Sequence, residues 1–143
     1  MEVVKFEPSH LIELFKQDAH QALASRMTIE NIEAISKQDT YSVIHNGRVL
    51  MVGGVVKHWP TRGEAWGLID QTCRKDFIGV FNCARKWLNS YRIRRLEALI
   101  DYEFEAGHRW IRALGFDLEA PRLRHYRADG GDSSMYVRIE NGN

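Results

Sequence analysis

The stretch Glu105-Ala106-Gly107-His108-Arg109-Trp110-Ile111-Arg112-Ala113-Leu114-Gly115-Phe116-Asp117-Leu118 reads as a helix that stops and a strand that begins. Trp110, Ile111 and Leu114 share one face at helical spacing, which predicts a helix over Ala106 to Leu114 with that face inward. Gly115 ends it, because glycine accepts the left-handed backbone that closes a helix C-terminus. Phe116 then enters the core as the chain reverses. Leu96 to Ile100 upstream is a short apolar strand. Two strands follow downstream, near Leu118 to Arg127 and Met135 to Ile139, with Asp129-Gly130-Gly131-Asp132 turning between them.

Moving toward the N-terminus, Phe77, Val80, Phe81, Ala84, Trp87 and Leu88 form the apolar stripe of a long helix, and Arg85 and Lys86 face away. Ala65 to Ile69 is a strand after a turn at Pro60 to Gly63. Val49 to Val56 is almost unbroken apolar sequence, as in a central strand buried on both faces. Gly53-Gly54 within it predicts a bulge or a close approach of another backbone. Tyr41 to His45 is its hairpin partner across Asn46-Gly47, since both turn residues tolerate positive φ. Val3, Val4 and Phe6 form a first strand. Ser9 is read as the cap of a helix carrying Leu11, Ile12, Leu14, Phe15, Ala19, Ala22 and Leu23, and Thr28 starts a second with Ile29, Ile32 and Ile35 on one face. The order is β-α-α-β-β-β-α-β-α-β-β, an α/β chain with a mixed sheet and helices on both faces. Residues 1–140 are expected to form a single domain, with Asn141-Gly142-Asn143 frayed. A doubly wound nucleotide fold would need a glycine-rich turn after the first strand, and none is there.

The bulk numbers narrow the function. A chain of 143 residues suits one domain, and a net charge of +1 gives no global field favouring nucleic acid. No apolar run reaches the ~18 residues of a membrane span, and the start lacks the pattern of an export signal. Cys73 and Cys83 are the only two cysteines. Together these point to reduced thiols in a cytoplasm, no membrane and no metal.

The element order, the helix ending in Leu114-Gly115-Phe116 and the segment Arg74-Lys75-Asp76-Phe77-Ile78-Gly79 together resemble the GNAT family of N-acyltransferases over nearly the whole chain. The resemblance implies acetyl-CoA as a small-molecule acyl donor and an amine as acceptor. In the family, a row of N–H groups at a helix start receives the diphosphate of coenzyme A. The family pattern there is Arg or Gln, two residues, Gly, one residue, then Gly or Ala; Arg74 matches its first position and Gly79 its last, and Phe77 replaces the middle glycine. Thr72, Arg74, Lys75, Phe77, Ile78 and Gly79 are therefore the expected diphosphate segment. Glu64-Ala65-Trp66-Gly67-Leu68-Ile69-Asp70 resembles the family's fourth strand, whose backbone, Leu68 and Ile69 here, pairs with the pantetheine arm. Gly67 would let a ligand approach.

Amine acylation needs a base for the ammonium and an acid for the leaving thiolate. Glu64 is the expected base, with His58 and Asp70 as rivals. The family's usual acid, a tyrosine, corresponds to Ile111, and Tyr102 is the substitute. Cys73 near a helix start is a further candidate, as a nucleophile partnered by His58 or His108. Arg85, Lys86, Arg92, Arg94 and Arg95, with Trp87 and Tyr91, form one basic cluster, and Arg122, Arg124, His125 and Arg127 another. Either could contact a phosphate backbone, although solvated edges explain them better. Acceptor selection in this fold falls to the first helices, where His20, Arg26 and Met27 lie, and to the terminal hairpin.

A narrower likeness, to short GNAT-like proteins encoded by tailed bacteriophages, rests on the Arg109 to Phe116 helix and the hairpin; it would place the chain in a host cytoplasm. The alternative is a catalytically silent binding or assembly factor on the same fold, in virion assembly for example. A protein partner or a homodimer is open, with Met135 to Ile139 as the edge-strand seam.

Overall fold

The structure is a computed structural model and describes residues 1–16 and 28–140. The readings on Ala19, Ala22 and Leu23, on His20, Arg26 and Met27, and on Asn141-Gly142-Asn143 fall outside the described residues. The elements are β1 (Glu2–Lys5), α1 (Pro8–Phe15), α2 (Ile29–Ser36), β2 (Asp39–His45), β3 (Arg48–Trp59), β4 (Arg62–Ile69), a 3-10 turn (Arg74–Asp76), α3 (Phe77–Ser90), β5 (Arg95–Asp101), α4 (Glu105–Ala113), β6 (Asp117–Leu123) and β7 (Ser133–Ile139). The strands form a seven-stranded sheet in the order β1-β2-β3-β4-β5-β7-β6. The chain divides into two compact units, Met1–Val55 with Gly67–Asn89, and Val56–Trp66 with Ser90–Asn143.

In the first unit β1 pairs antiparallel with β2, and β2 with β3. Asn46 and Gly47 both have positive φ, 52° and 74°, the backbone of the two-residue turn that matches strand twist. The glycine pair in β3 is a close approach and not a bulge. A Cβ on Gly53 would lie 2.9 Å from the Tyr41 hydroxyl, and one on Gly54 2.6 Å from the Asp39 carbonyl oxygen. The bulge falls in β2, between Val43 and Ile44. Leu11, Leu14, Val43, Leu50, Val52, Val55 and Val80 are buried. Helix α1 is capped two residues before the expected Ser9. Glu7 is its N-cap, in a reciprocal box with the His10 ring, and Pro8 fills the first helical position, where its missing N–H costs nothing. Thr28 caps α2 as expected, accepting from the Asn31 N–H, but Ile29 stays exposed. On α3, Val80, Ala84 and Leu88 are buried, Trp87 stacks on Tyr41 with centroids 4.5 Å apart, and Phe77 turns outward, 45% exposed.

In the second unit β4 and β5 run parallel from Arg62↔Arg95 to Ala65↔Ala98. β5 pairs antiparallel with β7, and β7 with β6. The outer strand is therefore β6, and Met135 to Ile139 lies inside the sheet, which removes it as an edge-strand seam. β6 also stops at Leu123, short of the expected Arg127. Helix α4 ends as its sequence predicts. Gly115 has φ 94°, its N–H donates to the Arg112 carbonyl, and the Phe116 N–H donates to the Ile111 carbonyl, the paired bonds of a Schellman ending. Ile111, Leu114 and Phe116 are buried, whereas Trp110 is half-buried and His108 is inside. The imidazole joins Tyr136 to the loop after β5: Nε2 donates to the Tyr102 carbonyl at 2.8 Å, leaving Nδ1 to accept from the Tyr136 hydroxyl at 2.7 Å. Glu97 is buried between Arg62 and Arg95, at 2.7 and 2.6 Å, and Arg95 continues to Glu119.

Candidate cofactor loop and catalytic groups

The segment between β4 and α3 is built around Asp70, 3% exposed. Its Oδ1 accepts from the Thr72 N–H and hydroxyl, both at 2.7 Å, and its Oδ2 accepts from Arg48 Nε at 2.9 Å and Nη2 at 2.5 Å. Arg48 also donates to the Thr72 hydroxyl. Burial raises the Asp70 pKa, but the Thr72 and Arg48 hydrogen bonds outweigh it and hold the carboxyl below its ordinary range. Asp70 is thus a permanent acceptor with every near donor engaged, and it drops out as a rival base. Thr72 belongs to the frame of the loop, because its hydroxyl points at Asp70.

The Cys73 N–H donates back to the Asp70 carbonyl and the Asp76 N–H to that of Cys73. Among the described residues, the amide N–H groups of Arg74 and Lys75 have no hydrogen-bond partner, and both side chains are exposed. Two open amides and two cations therefore precede a helix of 14 residues, whose dipole adds positive potential at the same end. Residues of this kind fit a diphosphate. Phe77 and Ile78, 45% and 75% exposed, project outward. Gly79 has a neighbour of its own: a Cβ there would lie 2.7 Å from Met1 Cε. Gly67 likewise accommodates protein, since its Cβ would lie 2.9 Å from Met51 Cε.

The surroundings of Cys73 disfavour it as a nucleophile. It is buried, and burial first, then the Asp70 charge, pushes its thiol pKa up, so the reactive thiolate is disfavoured.

In the second unit Glu64 and His58, rivals in the sequence, are neighbours across the β3–β4 hairpin, with His58 Nε2 3.8 Å from Glu64 Oε2. Tyr102 follows β5 and is 37% exposed. The Arg122 guanidinium lies over its ring at 4.4 Å, and its backbone is pinned by the Asp132 carbonyl and by His108. Ile111 is buried and carries no proton. Half of the cations in the basic clusters are paired with carboxylates: Arg92 with Glu140, Arg95 with Glu97 and Glu119, Arg122 with Asp132, and Arg127 with Asp101 and Asp129. Trp87 belongs to the Tyr41 stack. This pairing reduces the charge that a phosphate backbone would meet, although Arg85, Lys86, Arg94 and Arg124 stand outside these pairs.

Comparison with solved structures assigns the architecture. Ard1 from Thermoplasma volcanium superposes with a TM-score of 0.78 at 15% identity, over 96% of both chains. A GNAT-family acetyltransferase from Streptococcus pneumoniae gives 0.70 at 15%, over 97% of this chain and 99% of that one. The chain has the GNAT fold. The ribosomal L7/L12 alpha-N-protein acetyltransferase RimL, in complex with coenzyme A, gives 0.74 at 15%, covering 99% of this chain and 94% of that one. No family model matches the sequence, and no curated protein sequence matches it. No helix among the described residues is long and apolar enough to cross a membrane.

Sequence reasoning missed Arg48 and His45, and it offered His108 only as a partner for Cys73, whereas its ring bonds Tyr136 and the Tyr102 carbonyl. Arg48 and His45 were hidden because their partners lie in a distant segment, although Asp70-Gln71-Thr72 has the spacing of a side-chain-capped turn that could have marked Asp70 as structural.

Proposed function

We propose that this chain is an N-acyltransferase that uses acetyl-CoA to acylate an amine. The observation that carries the reading is the pair of open amides at Arg74 and Lys75, with two cations, at the start of α3 in a GNAT fold. In this reading Arg74, Lys75 and the backbone of Phe77, Ile78 and Gly79 hold the diphosphate, Asp70 and Thr72 keep the segment in shape, and Leu68 and Ile69 offer backbone to the pantetheine arm. The cofactor, when bound, supplies an acyl group activated as a thioester. Glu64, with His58 beside it, takes a proton from the acceptor ammonium. Tyr102 gives a proton to the departing sulfur. A cytoplasmic site of action, in a host if the narrower phage likeness holds, suits this reading.

Calorimetric titration with coenzyme A and desulfo-coenzyme A tests it. Micromolar binding that Arg74→Glu abolishes, with the fold retained, is the expected result. A folded protein that gives no heat up to millimolar ligand would overturn it and favour the silent binding or assembly factor, to which Phe77 and Ile111 already point.

A further inference from the structure

The tip of the β2–β3 hairpin has no role in the chemistry above, yet it grips the loop on which that chemistry depends. His45 and Arg48 are cross-strand partners on either side of the two-residue turn. Both reach the segment between β4 and α3, within the same unit. Arg48 holds its beginning through two N–H groups that converge on Asp70 Oδ2 and through the bond to Thr72. His45 Nε2 lies 3.9 Å from Asp76 Oδ1, in the 3-10 turn that leads into α3. The open amides of Arg74 and Lys75 fall between these two anchor points in the sequence. The tip is itself fixed: the Val49 N–H donates to Glu13 Oε2 of α1 at 3.1 Å, and the Asp70 N–H to the Leu50 carbonyl at 2.8 Å.

We propose that Arg48, assisted by His45, is a positioning residue that holds Asp70 to Asp76 in the shape that receives the cofactor's diphosphate. The inference rests on the cofactor reading above. Two donors of one rigid guanidinium on a single carboxylate oxygen fix its direction as well as its distance. A loop already ordered spends less of its binding free energy on ordering when the ligand arrives. Arg48 touches no reacting atom in this account and acts through Asp70 and Thr72.

The test uses the intact protein, coenzyme A as probe, and two readouts: affinity by calorimetry and amide hydrogen exchange along the loop. Arg48→Met is expected to weaken coenzyme A by roughly tenfold, the scale of one lost charge-assisted bond, and to speed exchange at Thr72 and Cys73 while leaving Val80 to Leu88 unchanged. Arg48→Lys should recover part of both, because it keeps the charge without the fork. Where Arg48→Met leaves the buried carboxylate too costly to fold, the double variant with Asp70→Asn removes both charges and carries the same expectation. Equal affinity in the unaltered and variant proteins overturns the positioning role and leaves the cofactor reading standing. Exchange that rises equally across β3 and α3 reduces Arg48 to a general stabiliser and also overturns it. No coenzyme A binding by the unaltered protein removes the cofactor reading, and the positioning role with it.

Discussion

Glu97 keeps its negative charge in a nearly closed position. The hydrogen bond from Arg62, and then that from Arg95, outweigh the cost of burial and lower its pKa from 4.5 to about 2. A carboxyl depressed in the folded state stabilises the fold above its ordinary pKa, and that contribution disappears as pH falls toward 2. A drop of this size corresponds to about 3 kcal/mol. Urea midpoints at pH 7 and pH 3 should therefore fall less steeply for Glu97→Gln than for the unaltered protein, and the variant should already be weaker at pH 7. Parallel pH profiles would show that Glu97 is not linked to folding. At this scale the sequence was least legible. Arg62 and Glu97, or Arg48 and Asp70, meet only because strands far apart in the chain lie side by side. A charged residue inside a strand pattern looks solvated until its partner is known, which is why Asp70 passed for a base.

Elements were far more legible, because caps and turns are carried by consecutive residues. Asn46-Gly47, Thr28 and Leu114-Gly115-Phe116 each announced a local backbone that the structure adopts. Gly115 has nothing within 4 Å of where a Cβ would stand, so Gly115→Ala tests backbone strain alone and should cost about 1–2 kcal/mol in denaturant unfolding. Gly54→Ala acts differently, by driving a methyl into a carbonyl oxygen of β2. Gly54→Ala should destabilise more than Gly53→Ala, whose Cβ meets only the rim of the Tyr41 ring, and by about 2 kcal/mol or more. The reverse ranking would mean that the Tyr41 ring is the less yielding neighbour. The order of the last strands was not legible from the hairpin turn, which fixes that β6 and β7 pair but not which of them faces β5. Pro121 within β6, lacking an N–H, was the overlooked sign of an outer strand.

For the whole molecule, the element order and the fold class were readable because they are sums of such local signals. The proposed cofactor site matches the expected pattern only in outline, since Phe77 breaks it at the middle position. Ligand linkage supplies the matching test. Coenzyme A at about a hundredfold excess over its dissociation constant adds about 2.7 kcal/mol, a rise in melting temperature of roughly 5–10 °C for a chain of this size. Arg74→Glu should show no rise. The Tyr41–Trp87 stack in the first unit has an optical counterpart in the second, where the Arg62 guanidinium lies 4.8 Å from the Trp59 ring. Trp87 is the one tryptophan of the first unit, whereas Trp59, Trp66 and Trp110 lie in the second. Trp87→Phe leaves emission from the second unit alone, and its difference from the unaltered protein through one urea titration isolates Trp87, so coincident or split midpoints will tell whether the two units melt together or in sequence.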